Sequence, residues 1–392
     1  MKYNFDKTVD RHGSASVKVD ELENVFGRAD LISMWVADMD FESCREITDA
    51  LRQRIDHRVY GYSRPQASYW QSIIDWERNM HRFEFTTQEL CYVPGIVRGL
   101  AFAVNYFTAK TDKVVIQEPV YHPFRLVPLG NGRTVVSNRL IASPNGSYRM
   151  DLADLERIFA NEHPRLMILC NPHNPAGIIW DRDSLAEVAR LARKYRVIVI
   201  SDEIHGDLSL FGHEHIPFAT VSDDAAAVSI TFGAPSKTFN IPGLASSWCV
   251  IKNPEIREGF FHWLRENEFS EPTAIACIAT ETAYKCGLAW LDQLKAYIEG
   301  NIIALEEYFA KHIPQIKPLR PMASYLVWLD CTALGMEQSE LVKFFVDRAG
   351  LALNDGTIFG SGGQGHMRMN IGTQRSVVMK ALEQLRQAIE KL

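Results

Sequence analysis

The sequence predicts an α/β fold: a mostly parallel sheet covered by helices, joined to a smaller α+β domain. Three observations predict it. Short apolar runs alternate with turns and helical patterns through the middle of the chain. Those runs are near-continuous in Val, Ile and Leu. From about Leu291 the character changes to long helical spacing and a Gly-rich stretch. Unbroken β-branched runs are what strands look like when both faces of a parallel sheet are buried under helices.

The runs come in order. Lys113–Gln117 (KVVIQ) precedes EPVYHPF. Arg165–Cys170 (RLMILC) precedes NPHNPAG, and Asp181–Tyr195 then has helical spacing at Leu185, Val188, Leu191 and Ala192. Arg196–Ser201 (RVIVIS) precedes DEIHGD, Ala227–Phe232 (AVSITF) precedes GAPSKTFN, and Ser247–Ile251 (SWCVI) closes the series. Beyond it, Leu291–His312 reads as a long helix, Ser324–Leu329 as a strand and Gln338–Ala349 as a helix. The stretch FGSGGQGHMRMNIG and a final helix follow. The expected division is a large domain over 45–288 and a small one from 1–44 with 289–392. In open parallel sheets ligands bind beyond the carboxyl ends of the strands. Tyr121, Asn174, Asp202, His205 and Lys237 all lie just after these runs, so the pattern alone predicts one shared site.

Composition removes several function classes. The chain has 392 residues, is 46% hydrophobic and 23% charged, and carries a net charge of −6. Its basic residues are scattered, so it lacks the clustered footprint of a nucleic-acid-binding protein. No stretch reaches the ~18 apolar residues of a membrane helix. Seven cysteines without a CxxC pair fit reduced thiols, and the polar start MKYNFDKTVDRHG has no signal-peptide core. The expectation is a soluble cytoplasmic protein with no bound metal.

The residues after the strands suggest specific chemistry. Lys237, in Gly233-Ala-Pro-Ser-Lys-Thr-Phe-Asn240, reacts with an aldehyde only as the free amine, which desolvation favours. A lone lysine after a strand is ordinarily a surface residue; its company decides. Asp202 is costly at a buried strand end unless it meets a positive group such as a pyridinium nitrogen, although an isolated Asp there also serves as a helix cap. Asn174, in NPHNPAG, can donate to a phenolate oxygen, and Asn-Pro permits a cis bond. Tyr121 can lay its ring on a flat cofactor. Gly95-Ile96-Val97 looks like a turn opening a helix, whose free N–H groups suit a phosphate. Arg368 has the planar fork that binds a carboxylate, or equally a structural ion pair.

Taken together these residues give the order Tyr-(x)52-Asn-(x)27-Asp-(x)34-Lys. The chain resembles the aspartate-aminotransferase superfamily of pyridoxal-phosphate enzymes (fold type I) over nearly its whole length. Within it the chain is most similar to carbon–sulfur β-lyases of the cystathionine β-lyase (MalY/PatB) type. The motifs that carry this are WVADMDF (Trp35–Phe41), YGYS (Tyr60–Ser63), PVYHPF (Pro119–Phe124), NPHNPAG, SDEIHGDL (Ser201–Leu208) and APSKTFNIPGL (Ala234–Leu244).

The resemblance implies a seven-stranded large-domain sheet and a role for each matched position. Lys237 would hold pyridoxal 5'-phosphate as a Schiff base and carry protons. Asp202 would pair with the pyridine nitrogen. Asn174, with His205 nearby, would face the phenolate oxygen, and Tyr121 would stack on the ring. Gly95, Ile96, Val97 and Ser236 would hold the phosphate. Arg368, Asn174 and Ala37 would meet the substrate. Tyr62, or Tyr60, would reach the phosphate of a neighbouring subunit, which implies a homodimer with shared sites. Aminotransferases of the superfamily carry a serine three residues before the lysine and an arginine eight after it; here those places are Ala234 and Ala245. That departure turns the reading from transamination towards α,β-elimination of L-cystathionine or related S-conjugates, giving thiol, pyruvate and ammonia. An aminotransferase is the competing reading, followed by a cofactor-bearing regulatory protein.

Overall fold

The computed structural model describes residues 2–143 and 146–392. Its large sheet has seven strands: β1 (Leu90–Val93), β2 (Lys113–Ile116), β3 (Thr134–Ser137), β4 (Leu166–Cys170), β5 (Ile198–Asp202), β6 (Ser229–Gly233) and β7 (Ser247–Val250). They lie in the order β1-β7-β6-β5-β4-β2-β3. The pairs β3–β2, β2–β4, β4–β5 and β5–β6 are parallel, while β7 runs antiparallel to both β6 and β1.

Burial explains why the strand sequences show no polar alternation. Val115, Met167, Leu169 and Val199 face one apolar cluster, whereas Val114, Ile116, Leu166, Ile168, Ile200 and Ile230 face another. Each face needs apolar residues, so the run is continuous. Two details differ from the sequence reading. Ala227 and Val228 end a helix, Asp223–Val228, whose first turn is capped by Ser222 accepting from Ala225 N at 3.2 Å; β6 begins only at Ser229. The edge strands β1 and β3 do not stand out as runs: LCYV of β1 holds one β-branched residue, and TVVS of β3 is only half-buried and carries hydroxyls at both ends.

A second sheet holds β8 (Lys317–Leu319), β9 (Leu326–Asp330), β10 (Asn354–Asp355) and β11 (His366–Asn370) in the order β8-β9-β11-β10. The long helix Leu288–His312 and the last helix Arg375–Ile389 pack on it. Gln338–Lys343 is α-helical, and Phe344–Arg348 then continues as a π-turn instead of the plain helix expected. The N-terminal segment joins this core, with Phe5 edge-on to Trp290 at 5.8 Å. Ile32–Ser33 pairs in parallel with Leu351–Ala352. Among the described residues no helix is long and apolar enough to cross a membrane, and no group of His, Cys, Asp or Glu is arranged to hold a metal. The cysteines are all free thiols.

Candidate active site

The carboxyl ends of β4, β5 and β6 meet at one cavity of about 270 Å³. Asp202 is the last residue of β5 and sits in register with Cys170 of β4 and Phe232 of β6. Chain direction therefore brings the residues that follow these strands to one place. Ala37, Gly95, Ile96, Val97, Tyr121, Asn174, Asp202, His205, Ser236 and Lys237 all line the cavity.

Lys237 lies in the short helix Pro235–Thr238, four residues after Gly233 ends β6. Thr238 fixes that turn from below, with Oγ1 donating to Asp207 Oδ2 at 2.7 Å. Asp207 is itself buried and also accepts from Trp76 Nε1 at 2.9 Å, with His81 Nε2 at 2.7 Å. Gly233 is required just before the turn, because a Cβ there would stand 2.2 Å from the Trp248 ring. The Lys237 amine donates to Ala37 O at 2.5 Å. Burial lowers it to about 8; Asp38 and Asp202 draw it up and Arg368 draws it down. An amine so placed is part free base near neutrality, as a proton carrier needs to be.

Burial acts on Asp202 in the opposite sense and raises its carboxyl to about 7, against an Ile204 N–H bond of 3.2 Å and the nearby lysine. Such a carboxyl gains most from a cationic partner. His205 is held down to about 3 by burial, with Lys237 and Arg368 adding to it, so it is a neutral imidazole; its buried Nδ1 has no partner.

Arg368, on β11, is buried beside the cavity and reaches it through Asn174. Its Nη1 donates to Asn174 Oδ1 at 3.0 Å, and its Nη2 donates to Asn354 Oδ1 at 2.6 Å and Trp35 O at 2.9 Å. Burial lowers Arg368 to about 10. Because this assignment commits the Asn174 oxygen to arginine, the amide N–H2 is the group left for the cavity. Tyr121 is tied to the same turn, its N–H donating to Asn174 O at 3.0 Å. Both Asn–Pro bonds of NPHNPAG, Asn171–Pro172 and Asn174–Pro175, are cis.

Gly95 precedes the helix Ile96–Phe107 with φ +107° and ψ 144°, a conformation close to glycine-only. The first N–H groups of that helix have no intrahelical partners and point out of its end. The Ser236 hydroxyl borders the same cavity as Gly95, Ile96 and Val97. A positively charged ring nitrogen fits at Asp202, a ring oxygen at the Asn174 amide and a phosphate at the Gly95 turn. The residues present thus fit pyridoxal phosphate, and the unpartnered Nδ1 of His205 and Nε of Arg368 lie among them.

Of the predicted residues, Arg368 stands behind Asn174 without lining the cavity, and two others are not brought to it. Tyr60 and Tyr62 are exposed on a separate cleft with Glu268, Glu271 and Pro272; the Tyr60 hydroxyl donates to Ile55 O at 2.8 Å. Others were missed. Asn354 holds Arg368 alongside the Trp35 carbonyl, Tyr325 donates to Ala37 O at 3.0 Å, and Arg98, Ser246 and Ser247 line the cavity. Ala245, in the place of the expected arginine, also lines it, with φ +50°.

Comparison with known proteins gives the family. Residues 29–385 match the family "Aminotransferase class I and II". The chain is 41% identical over 386 residues to cystathionine beta-lyase PatB of Bacillus subtilis (strain 168), covering 98% of this chain and all of that one. Cystalysin from Treponema denticola, whose structure contains a pyridoxal 5'-phosphate cofactor, superposes with a TM-score of 0.96 at 32% identity over the full length of both chains. The PLP-bound C–S lyase from Staphylococcus hominis superposes with a TM-score of 0.93 at 32% identity, covering 99% of this chain and 98% of that one. The chain belongs to the class I and II aminotransferase family, in its fold type I architecture.

Proposed function

We propose that this protein is a pyridoxal-phosphate-dependent carbon–sulfur β-lyase that cleaves L-cystathionine or related cysteine S-conjugates to a thiol, pyruvate and ammonia. The observation that carries the reading is full-length identity of 41% to a cystathionine β-lyase, joined to a cavity that holds Lys237, Asp202, Asn174 and Tyr121 together.

Bound in the cavity, the cofactor supplies an electron-withdrawing pyridinium conjugated to the substrate's Cα. Lys237 binds it and, once displaced by the substrate amine, takes the proton from Cα at Nζ. Asp202 keeps the ring nitrogen protonated by offering it a buried carboxylate. Arg368, oriented by Asn354 and Trp35 O, receives the substrate carboxylate and sets the Cα–H bond towards Lys237. The cofactor would supply the electron withdrawal that lets the Cβ thiolate leave, and the Lys237 ammonium would return a proton to the departing sulfur. Hydrolysis of the remaining three-carbon enamine gives pyruvate and ammonia. His205 would meet the cofactor as a neutral imidazole, and Gly95, Ile96, Val97 and Ser236 would hold its phosphate, with alanine at 234 and 245.

We further infer a homodimer in which Tyr62, or Tyr60, reaches the neighbouring subunit's phosphate; the full exposure of Tyr62 supports this. A cytoplasmic setting fits seven unpaired thiols. A panel of cysteine S-conjugates without any 2-oxo acid tests the reaction class. Equal release of thiol and pyruvate is expected. Products that form only when a 2-oxo acid is added would point to transamination instead.

A further inference from the structure

Two carboxylates outside the cavity flank the segment that receives the Lys237 amine. Ala37 O accepts from both Lys237 Nζ and Tyr325 Oη. Next along the chain, the side chains of Asp38 and Asp40 are 18% and 17% exposed. Carboxylates this far out of water need cationic partners.

Those partners come from the N-terminal segment. Arg11 forks onto Asp38, Nη1 to Oδ1 at 2.8 Å and Nη2 to Oδ2 at 2.7 Å, and its Nη1 reaches Asp40 Oδ1 at 2.7 Å. Lys18, only 1% exposed, donates to Asp40 Oδ2 at 2.9 Å and to Asp38 O at 3.2 Å. Lys18 O in turn accepts from Trp35 Nε1 at 3.0 Å. Two acids therefore face two bases, which offset part of their charge. Their backbone is also pinned: Asn370 Nδ2 donates to Asp38 O at 2.7 Å, and Asn240 bonds Met39 through both N–H and C=O.

Asp38 is the strongest charged influence on the Lys237 amine, acting against burial and Arg368 and in the same sense as Asp202. His205 and Tyr121 share the cavity with the amine, and Tyr325 shares its acceptor, Ala37 O; none of the three supplies a compensating charge. Without Arg11 and Lys18, Asp38 would draw the amine further up and hold its proton more tightly.

We propose that Arg11 and Lys18 are positioning residues for the reaction: by neutralising Asp38 and Asp40, they let the Ala37 carbonyl orient the Lys237 amine without holding a proton on it. This rests on Lys237 being the reactive amine, which the loss of the visible cofactor band in Lys237→Ala tests separately.

The experiment uses the full chain freed of cofactor. Reductive methylation with formaldehyde across a pH series is scored on the Lys237 peptide by mass spectrometry. Arg11→Met is expected to raise the pH midpoint of Lys237 reaction by about one pH unit. Asp38→Asn should lower it, and the double variant should return it close to wild type. A purely structural role would lower the thermal midpoint of these variants with the Lys237 reaction midpoint unmoved, and that result overturns the proposal. Should Arg11→Met not fold, Asp38→Asn decides alone, since an unchanged or raised midpoint there also overturns it.

Discussion

Burial raises the Asp202 carboxyl from about 4 to about 7. A carboxyl whose folded value lies above its unfolded one keeps its proton longer in the folded state. The cofactor-free protein therefore loses stability as pH rises between those values. Asp202→Asn removes that dependence. Without cofactor it should gain on wild type across this window by up to ~4 kcal/mol, three pH units at 1.36 kcal/mol each; urea unfolding at each pH measures it. With cofactor the sign reverses, and turnover should fall on the order of 10²-fold as the ring loses its charged partner. Asp202, Asn174 and Lys237 were legible in the sequence because each follows an apolar run that chain direction carries to one sheet edge. Asn354 and Tyr325 were not. Neither has a local signal, and Asn354 acts only through Arg368, a contact made by pairing β10 with β11.

Elements set what those residues can do. The helix Ile96–Phe107 aims its N-terminus at the cavity only because Gly95 takes φ +107°. A Cβ at Gly95 would meet nothing within 4 Å, so Gly95→Ala tests backbone strain without a clash. A cost of ~1–3 kcal/mol is expected at such a dihedral. Part of it should appear as cofactor affinity weakened about tenfold, read by fluorescence titration. Unchanged affinity with lowered stability would detach this turn from the phosphate. The five interior runs were readable because both faces of each strand are buried, whereas β1 and β3 gave little to read. The π-turn at Phe344–Arg348 leaves no mark in a sequence whose apolar spacing suits an α-helix equally.

At the scale of the whole molecule, we propose that residues 45–288 act as the cofactor-binding body, with 1–44 and 289–392 as a second body that supplies Arg368 and Ala37. The N-terminal segment's packing on the helix Leu288–His312 supports this, as does the pairing of Ile32–Ser33 with Leu351–Ala352. The same scale holds the dimer inference. Tyr62 makes no contact with its own chain's cavity, so Tyr62→Ala should leave the fold intact and weaken cofactor binding in the dimer. Equilibrium sedimentation combined with cofactor titration reads both. A monomer that binds cofactor fully would contradict the shared site.

The central claim is that Lys237 carries the proton for a β-elimination. Its most direct measurement is pyruvate formed from L-cystathionine with no 2-oxo acid present, wild type beside Lys237→Ala. The account predicts steady pyruvate and thiol from the wild type, and from Lys237→Ala a loss of at least 10²–10⁴-fold, the contribution of one positioned base. Pyruvate formed at the wild-type rate without Lys237, or none from the wild type, would contradict it.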